Sequence, residues 1–498
     1  MIGSTKGFLA RDWPLHLGWN NLRYILEAAL FEADLMDRTL ILPSFIYARS
    51  CNVAQPACAA FASQQIRSEE IGKGDYFYLP EDEQQTWRLP IGLMVDIPHL
   101  RRSHSVITVG EYLRYHNKPP TEERLDGHWD KRYLWIPASE TNPVGRNLTE
   151  VTLLAKDYEP KEIVRMDALP KGPQADANVE TKPIYKAIAA ALSDHKTVFL
   201  DQAKEIIRSE NLGHWNSEQE LSDLLRRNGW SIVYTFEGVW LEMMKTVTKN
   251  SVEVAPTSHL RGLWDEYGES DADVVFFEGE IHSDTKPGGV RFSSATARSN
   301  FASMVLTSVQ PMAPVRLLAE LLARKMQKLN HGRQYLGAHL RRGDFVAFGW
   351  SPAKSIEDHL RLARDRLEDG RKLLDEIWRS QAPPRTVDVP NIEPDTFWNN
   401  APPPKKDDKI FVATDENNST ALAYLRSHNV VLLSDLLEPK LRRVIGWPLL
   451  IGDVQAQVEQ IVASHAGAFW GYRMSSVSGG IVNMRGARGM DPRTAIVD

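Results

Sequence analysis

Tyr335 to Ala338 is a short apolar run of strand type, and it opens directly into His339-Leu340-Arg341-Arg342-Gly343-Asp344-Phe345. A turn-rich segment follows, then a helical pattern from Ile356 in which Leu360, Ala363 and Leu367 recur on one face. Strand, loop and helix in that order are the unit of an open α/β sheet, whose ligands gather where strands run out into loops. Two adjacent arginines at the end of a buried strand are unusual. Arg is charged at any working pH, and its planar fork fits phosphate oxygens in pairs. Two readings stand on charge and turn chemistry alone. One is a diphosphate clamp. The other is a surface ion-pair cluster in which Arg342-Gly343-Asp344 only makes a turn.

The start of the chain has the same grammar. Gly7 to Ala10 is a strand candidate, and Arg11 to Trp19 is a turn-rich loop. Leu22, Ile25, Leu26, Ala29, Leu30 and Ala33 then recur at helical spacing, and Thr39 to Leu42 is the next strand, stopped by Pro43. Gly18 to Arg23 lies at the loop-to-helix junction, where free N–H groups and the helix dipole attract anions. Asn20 and Asn21 are candidates there for a phosphate or sugar contact. Either of them could instead cap the helix.

Further on, Leu317 to Leu329 makes a helical stripe that leads into the arginine strand. Lys409 to Ala413 is a buried strand ending in Thr414-Asp415-Glu416, and Asn429 to Leu433 is another. Asp415 is placed to accept N–H donors of a guanine edge or ribose hydroxyls, or to cap the next helix. Ala468 to Gly471 is a short strand followed by Tyr472 to Ser478. Ser475 and Ser476, at a helix start after a strand, suit a phosphate cradle. Gln381 to Asp408 is rich in proline and polar residues and reads as an insertion or mobile surface loop. Between about Ala54 and Asn300, strand-like and helical fragments alternate, with helices expected near Ile184–Leu192 and Leu221–Leu225 and strands near Ser231–Tyr234 and Val274–Phe277. His104, His128, His214 and His282 are scattered and read as structural. Trp129, Tyr133, Trp135, Trp215, Trp230, Trp240 and Trp264 suit a core better than a sugar or peptide groove.

Composition narrows the classes. The chain has 498 residues, 42% of them hydrophobic and 25% charged, ordinary for globular domains. A net charge of -6 argues against a general nucleic-acid binder, though a nucleotide needs only a few local cations. No window is apolar enough for a membrane span, and the first residues lack a signal-peptide core. Cys51 and Cys58 are the two cysteines. They either close a small disulfide loop or stay as buried thiols. Asn147, Asn417 and Asn418 begin glycosylation-type triplets. No P-loop, His-Glu-x-x-His or Gly-x-Ser-x-Gly run is present.

The window His339 to Phe345 resembles the nucleotide-sugar motif of the GDP-fucose O-fucosyltransferases. The junction at Gly18 to Arg23, the strand at Asp37 to Pro43, Asp415 and the serines after Gly471 resemble further segments of that family in the right order. Some family members carry a catalytic glutamate three residues before the Asn aligned with Asn21; here that residue is Gly18. An aromatic common in the serine segment is Val477.

The resemblance implies a GT-B-like α/β fold of two Rossmann-like units. Residues 1–300 would form the N-terminal, acceptor-side unit and 301–498 the C-terminal unit that binds the GDP-sugar, with the Pro-rich insertion at 381–408. It implies inverting transfer of fucose from GDP-fucose to a hydroxyl of a protein or glycan acceptor, without a metal or other cofactor. Arg341 and His339 would be catalytic, with Arg341 absorbing charge on the departing β-phosphate. Asn20, Asn21, Arg342, Asp344, Asp415, Ser475 and Ser476 would hold the donor, Asp344 chiefly by fixing an arginine. Asp12 is a weak candidate for the missing base. The family implies an endoplasmic reticulum or Golgi lumen. Another nucleotide sugar, or silent binding of GDP or a glycan, are the alternatives.

Overall fold

The computed structural model describes residues 4–498 apart from 67–83, 141–142, 155–162, 169–177, 193–195, 238–245, 280–286 and 382. Trp240, His282 and the Pro170–Pro173 loop lie outside the described residues. Two five-stranded parallel sheets organise the chain. The first runs Val106–Thr108, Thr39–Leu42, Phe8–Arg11, Val274–Glu278, Glu150–Leu154 across its width. The second runs Val430–Val431, Ile410–Thr414, Leu336–Leu340, Ala468–Gly471, Ala495–Val497. In each, the first strand of the unit lies at the centre and the order reverses beside it, as in a doubly wound Rossmann-like sheet. This is the mixed α/β architecture that the strand–loop–helix units imply.

The central strands are buried on both faces, so they read as continuous apolar runs rather than as alternation. Helix Trp19–Leu35 is also buried nearly all round, which suits its continuous apolar sequence. Two carboxyls on it are buried with arginine partners: Glu27 takes the Arg23 Nε–H at 2.8 Å, and Glu32 lies 3.6 Å from Arg11. Burial pushes Glu32 up to about 7 against the pull of Arg11. Helix Ala295–Thr307 packs on both Trp19–Leu35 and Ser476–Ala487, so one continuous core links the two sheets. A division drawn at residue 300 passes through this helix.

Between strands Glu150–Leu154 and Val274–Glu278 the chain builds a separate unit with its own core of Ile188, Ile207, Leu225 and Trp230. Its order is helix Pro183–Ala189, strand Val198–Phe199, helices Leu200–Ser209 and Glu218–Arg227, and strands Trp230–Phe236 and Asn250–Pro256. The last strand lies between the other two. That is the order and pairing of a winged helix-turn-helix unit.

Three expectations change. The strand expected at Asn429–Leu433 shrinks to Val430–Val431, because Leu433–Leu436 turns into a helix. The Pro-rich segment is not a loose surface loop: Val387, Trp398 and Ala401 are buried. Its carbonyls take Gln334 N–H at Pro402 and Gln334 Nε2–H at Trp398, and Asn399 donates to Gly489 O. Apolar residues scattered among prolines were enough to dock it. The cysteine alternatives resolve to a Cys51–Cys58 disulfide. Trp129, Tyr133 and Trp230 lie in the core, while Trp135 is exposed. Among the described residues, no helix is long and apolar enough to cross a membrane.

Candidate active site

Parallel pairing brings three strand ends of the second sheet to one level. Leu340 pairs with Thr414, and His339 pairs with both Ala413 and Gly471. Thr414 Oγ1 also donates to Leu340 O at 2.8 Å. The loops that begin at Arg341, Asp415 and Tyr472 therefore leave the sheet side by side, at the point where the strand order reverses.

Arg341 donates to Asp415 Oδ2 and to Asp344 Oδ1, each at 2.6 Å, and its guanidinium stands 5.1 Å over the Phe345 ring. About a quarter of the side chain remains open to solvent. Asp415 uses its other oxygen to accept the Arg342 backbone N–H at 2.6 Å. A Cβ on Gly343 would lie 2.6 Å from Asp415 Oδ2, so only glycine lets this carboxylate close onto the loop. Burial pushes the Asp415 carboxyl up, opposed by Arg341 and by the Arg342 N–H. Asp415 does not cap the following helix; Asn418 does, accepting from Thr420 and Ala421.

Arg342 turns the other way. It is buried, and it donates to the carbonyls of Ala353, Lys354 and Ser355 and to Glu416 at 2.8–3.4 Å. Here it straps the loop that follows the motif to the sheet edge. Of the two arginines, Arg341 is the one whose charge faces an opening.

His339 is buried, and its Nδ1 lies 3.0 Å from Ser478 Oγ in the first turn of helix Ser476–Ala487. Desolvation, then the positive Arg341 and the neighbouring His359 ring, push its pKa down to about 3, so the ring is neutral throughout the working range. It ties the arginine strand to the serine helix. Ser475 is the N-cap residue of that helix, but its side chain accepts no capping bond. The first-turn N–H groups of Ser476 and Val477 thus lack a side-chain cap, and the His339–Ser478 contact sets this helix start, with its dipole, next to the end of the arginine strand.

The N-terminal half reaches this helix through Asn20. Its Oδ1 lies 3.7 Å from where a Cβ on Gly480 would stand. Neither Asn20 nor Asn21 caps helix Trp19–Leu35, whose N-cap residue is Gly18. The space a side chain on Gly18 would enter is filled by the Arg49 guanidinium, 3.1 Å away. Asp12 is closed off. It accepts the N–H groups of Trp129 at 2.8 Å and Gly279 at 2.7 Å, with His128 3.3 Å away. Burial raises its pKa, but the bonds from His128, Gly279 and Trp129 outweigh this and hold the carboxyl below its ordinary range. It is a poor proton acceptor.

One residue of this region escaped the sequence reading. Glu459, on helix Gly452–Ser464, is partly exposed and close enough to Asp415 for the carboxyls to repel. Burial, then Asp415, push it up to about 8. Its only trace in the sequence is an acidic residue among the apolar positions Val458 and Ile461, which does not say what that part of the helix meets.

The family model for GDP-fucose protein O-fucosyltransferase matches residues 94–488. That span holds the arginine loop, Asp415, Glu459 and the serines, but not Asn20 and Asn21. A comparison with curated proteins returns no match. Among solved structures, the chain is similar to POFUT1 in complex with GDP-fucose, at 12% identity, covering 99% of this chain and 98% of that one with a TM-score of 0.37. POFUT1 in complex with GDP gives the same identity, coverage and TM-score. POFUT1 in its apo form gives 11% identity and 0.35. Since the family model spans most of its length, the chain belongs to the GDP-fucose protein O-fucosyltransferase family and is a glycosyltransferase of that type.

Proposed function

We propose that this enzyme transfers fucose from GDP-fucose to a hydroxyl of a protein or glycan acceptor, with inversion and without a divalent metal. The observation that supports this best is Arg341 at the reversal point of the second sheet, beside the uncapped start of helix Ser476–Ala487. As the anomeric C–O bond breaks, negative charge grows on the β-phosphate. A guanidinium and aligned N–H groups fixed at that place stabilise it by several kcal/mol, the service a metal gives elsewhere. Ser475, Ser476 and Asn20 line the phosphate side. Arg342 and Asp344 hold the loop and Arg341 in place, and His339 couples strand to helix without changing charge.

Asp415 is already bonded to Arg341 and Arg342. Next to it lies Glu459, which in its carboxylate form suits the paired N–H donors of a guanine edge. With Gly18 lacking a side chain and Asp12 occupied, the hydroxyl proton goes to the departing phosphate. The acceptor oxygen bonds to the anomeric carbon as the carbon–phosphate-oxygen bond breaks. The same two residues favour a second reading, in which the protein binds GDP-sugar and turns it over poorly or not at all.

The test is transfer and donor hydrolysis with GDP-fucose, with and without EDTA, for the wild type and Arg341→Ala. We expect EDTA to change nothing and the variant to lose at least about 100-fold. Full activity in Arg341→Ala refutes the mechanism. GDP binding without turnover in the wild type selects the second reading.

A further inference from the structure

The disulfide loop joins the two halves of the molecule. Residues 49–61 belong to the N-terminal half, yet they are bonded along the segment that opens helix Gly452–Ser464. Asn52 N–H donates to Leu450 O, and Gly452 N–H donates to Ser50 O, both at 2.9 Å, with Cys51 and Ile451 forming an antiparallel bridge. Arg49 N–H donates to Asp453 Oδ2 at 2.7 Å. Phe61 stacks on Trp447, ring centroids 5.3 Å apart and nearly parallel. Cys58 is buried, and its Sγ lies 3.9 Å from Leu450 O.

Both ends of this latch lead into the candidate site. Two residues before Cys51, the Arg49 guanidinium lies against Gly18, at the start of the helix that presents Asn20. Two turns beyond Gly452, the same helix presents Glu459 beside Asp415. The approach is close at Gly452, where a Cβ would displace the Ser50 hydroxyl.

We propose that the Cys51–Cys58 loop is a redox-sensitive latch on the donor site: intact, it holds the Gly18–Asn21 turn in register with helix Gly452–Ser464, and its reduction frees one from the other. Cys51 is partly exposed and Cys58 is buried, so a dithiol attacks the Cys51 sulfur. The Cys51–Cys58 bond breaks, and Cys58 leaves as a thiolate and takes a proton. The reductant's second thiol then displaces Cys51 and closes its own disulfide, so two electrons and two protons pass to the protein. The loop loses its cross-link and the short stretch of chain pairing frays.

This rests on the proposed donor site, so the experiment reads structure and binding separately. Hydrogen exchange and GDP calorimetry are run on the full chain, oxidised and in dithiothreitol. Reduction is expected to speed amide exchange at residues 50–52 and 452–454 and to weaken GDP by about tenfold, the loss that follows if one molecule in ten holds the competent arrangement. A Cys51→Ser/Cys58→Ser variant should match the reduced protein and ignore the reductant. If oxidised and reduced protein bind GDP equally and exchange alike, the latch is refuted. Faster exchange with unchanged GDP affinity refutes its link to the site. If the oxidised protein does not bind GDP, the donor assignment fails, while the exchange result still decides whether the loop is a latch.

Discussion

Strand Phe8–Arg11 and strand Leu336–Leu340 hold the same place, each the central first strand of a five-stranded parallel sheet. They end differently. The first runs into Asp12, whose carboxylate takes two backbone N–H groups, one of them at Gly279, just past the strand on the other side of the reversal point. An internal anion sits where such sheets bind external ones. The second runs into Arg341, a cation still partly open to solvent. One topology thus yields a closed, anionic end and a partly open, cationic one, and a single residue after each strand makes the difference. Fold alone does not say which end works.

The sharpest break of this comparison is charge removal at the open end. Arg341→Ala should lower transfer by about 100- to 1,000-fold while shifting the denaturation midpoint far less, since about a quarter of the side chain is open to solvent and its ion pairs are partly screened. Arg341→Lys should recover only part of the loss, because a point charge cannot bridge Asp344, Asp415 and a phosphate as the fork does. At the closed end the signature inverts. Asp12→Ala strands two buried N–H groups and should cost about 2–4 kcal/mol of stability in urea titrations, with GDP affinity held within about twofold. Equal effects of the two substitutions on both readouts would erase the distinction.

pH provides a smaller, graded test. The Glu459 carboxyl is raised to about 8 without nucleotide, so at pH 6 it is protonated. Guanine N–H donors need the carboxylate, so GDP affinity should rise about tenfold per unit up to about pH 8 and then level off. Glu459→Gln should flatten the profile. The stability contribution runs the opposite way. A raised acid is fully stabilising below the ordinary glutamate range, and that contribution is lost as pH rises through about 8. The smallest effect is expected from Ser478→Ala, which removes the bond to the neutral His339 and should cost about 1 kcal/mol in stability and little in rate.

The central strands were legible because they are buried on both faces and flanked by helical periodicity. Arg341 and Asp415 were legible because a charged residue directly after such a strand can only lie at the sheet's ligand-binding edge. Arg342 was not. Its sequence position equals that of Arg341, and only the carbonyls of residues 353–355 turn it into a strap. Glu459 was hidden because helical spacing says which face a residue lies on, not what that face meets. Trp398 was hidden because proline and polar content around it resembles an exposed loop, whereas its burial depends on Tyr335 and His465, far away in the chain.

From its own residues, then, this chain dictates two parallel α/β sheets, a cationic motif at the end of one, and, through the match over residues 94–488, its family. Those follow from local periods and from motifs contiguous in the chain. What tertiary structure alone decided is which of two adjacent arginines faces outward, that Asp12 is sealed, that Glu459 joins Asp415, and that a disulfide loop reaches across to residues 450–453. Each of these depends on strand register and on contacts between residues tens to hundreds of positions apart, which no local pattern encodes.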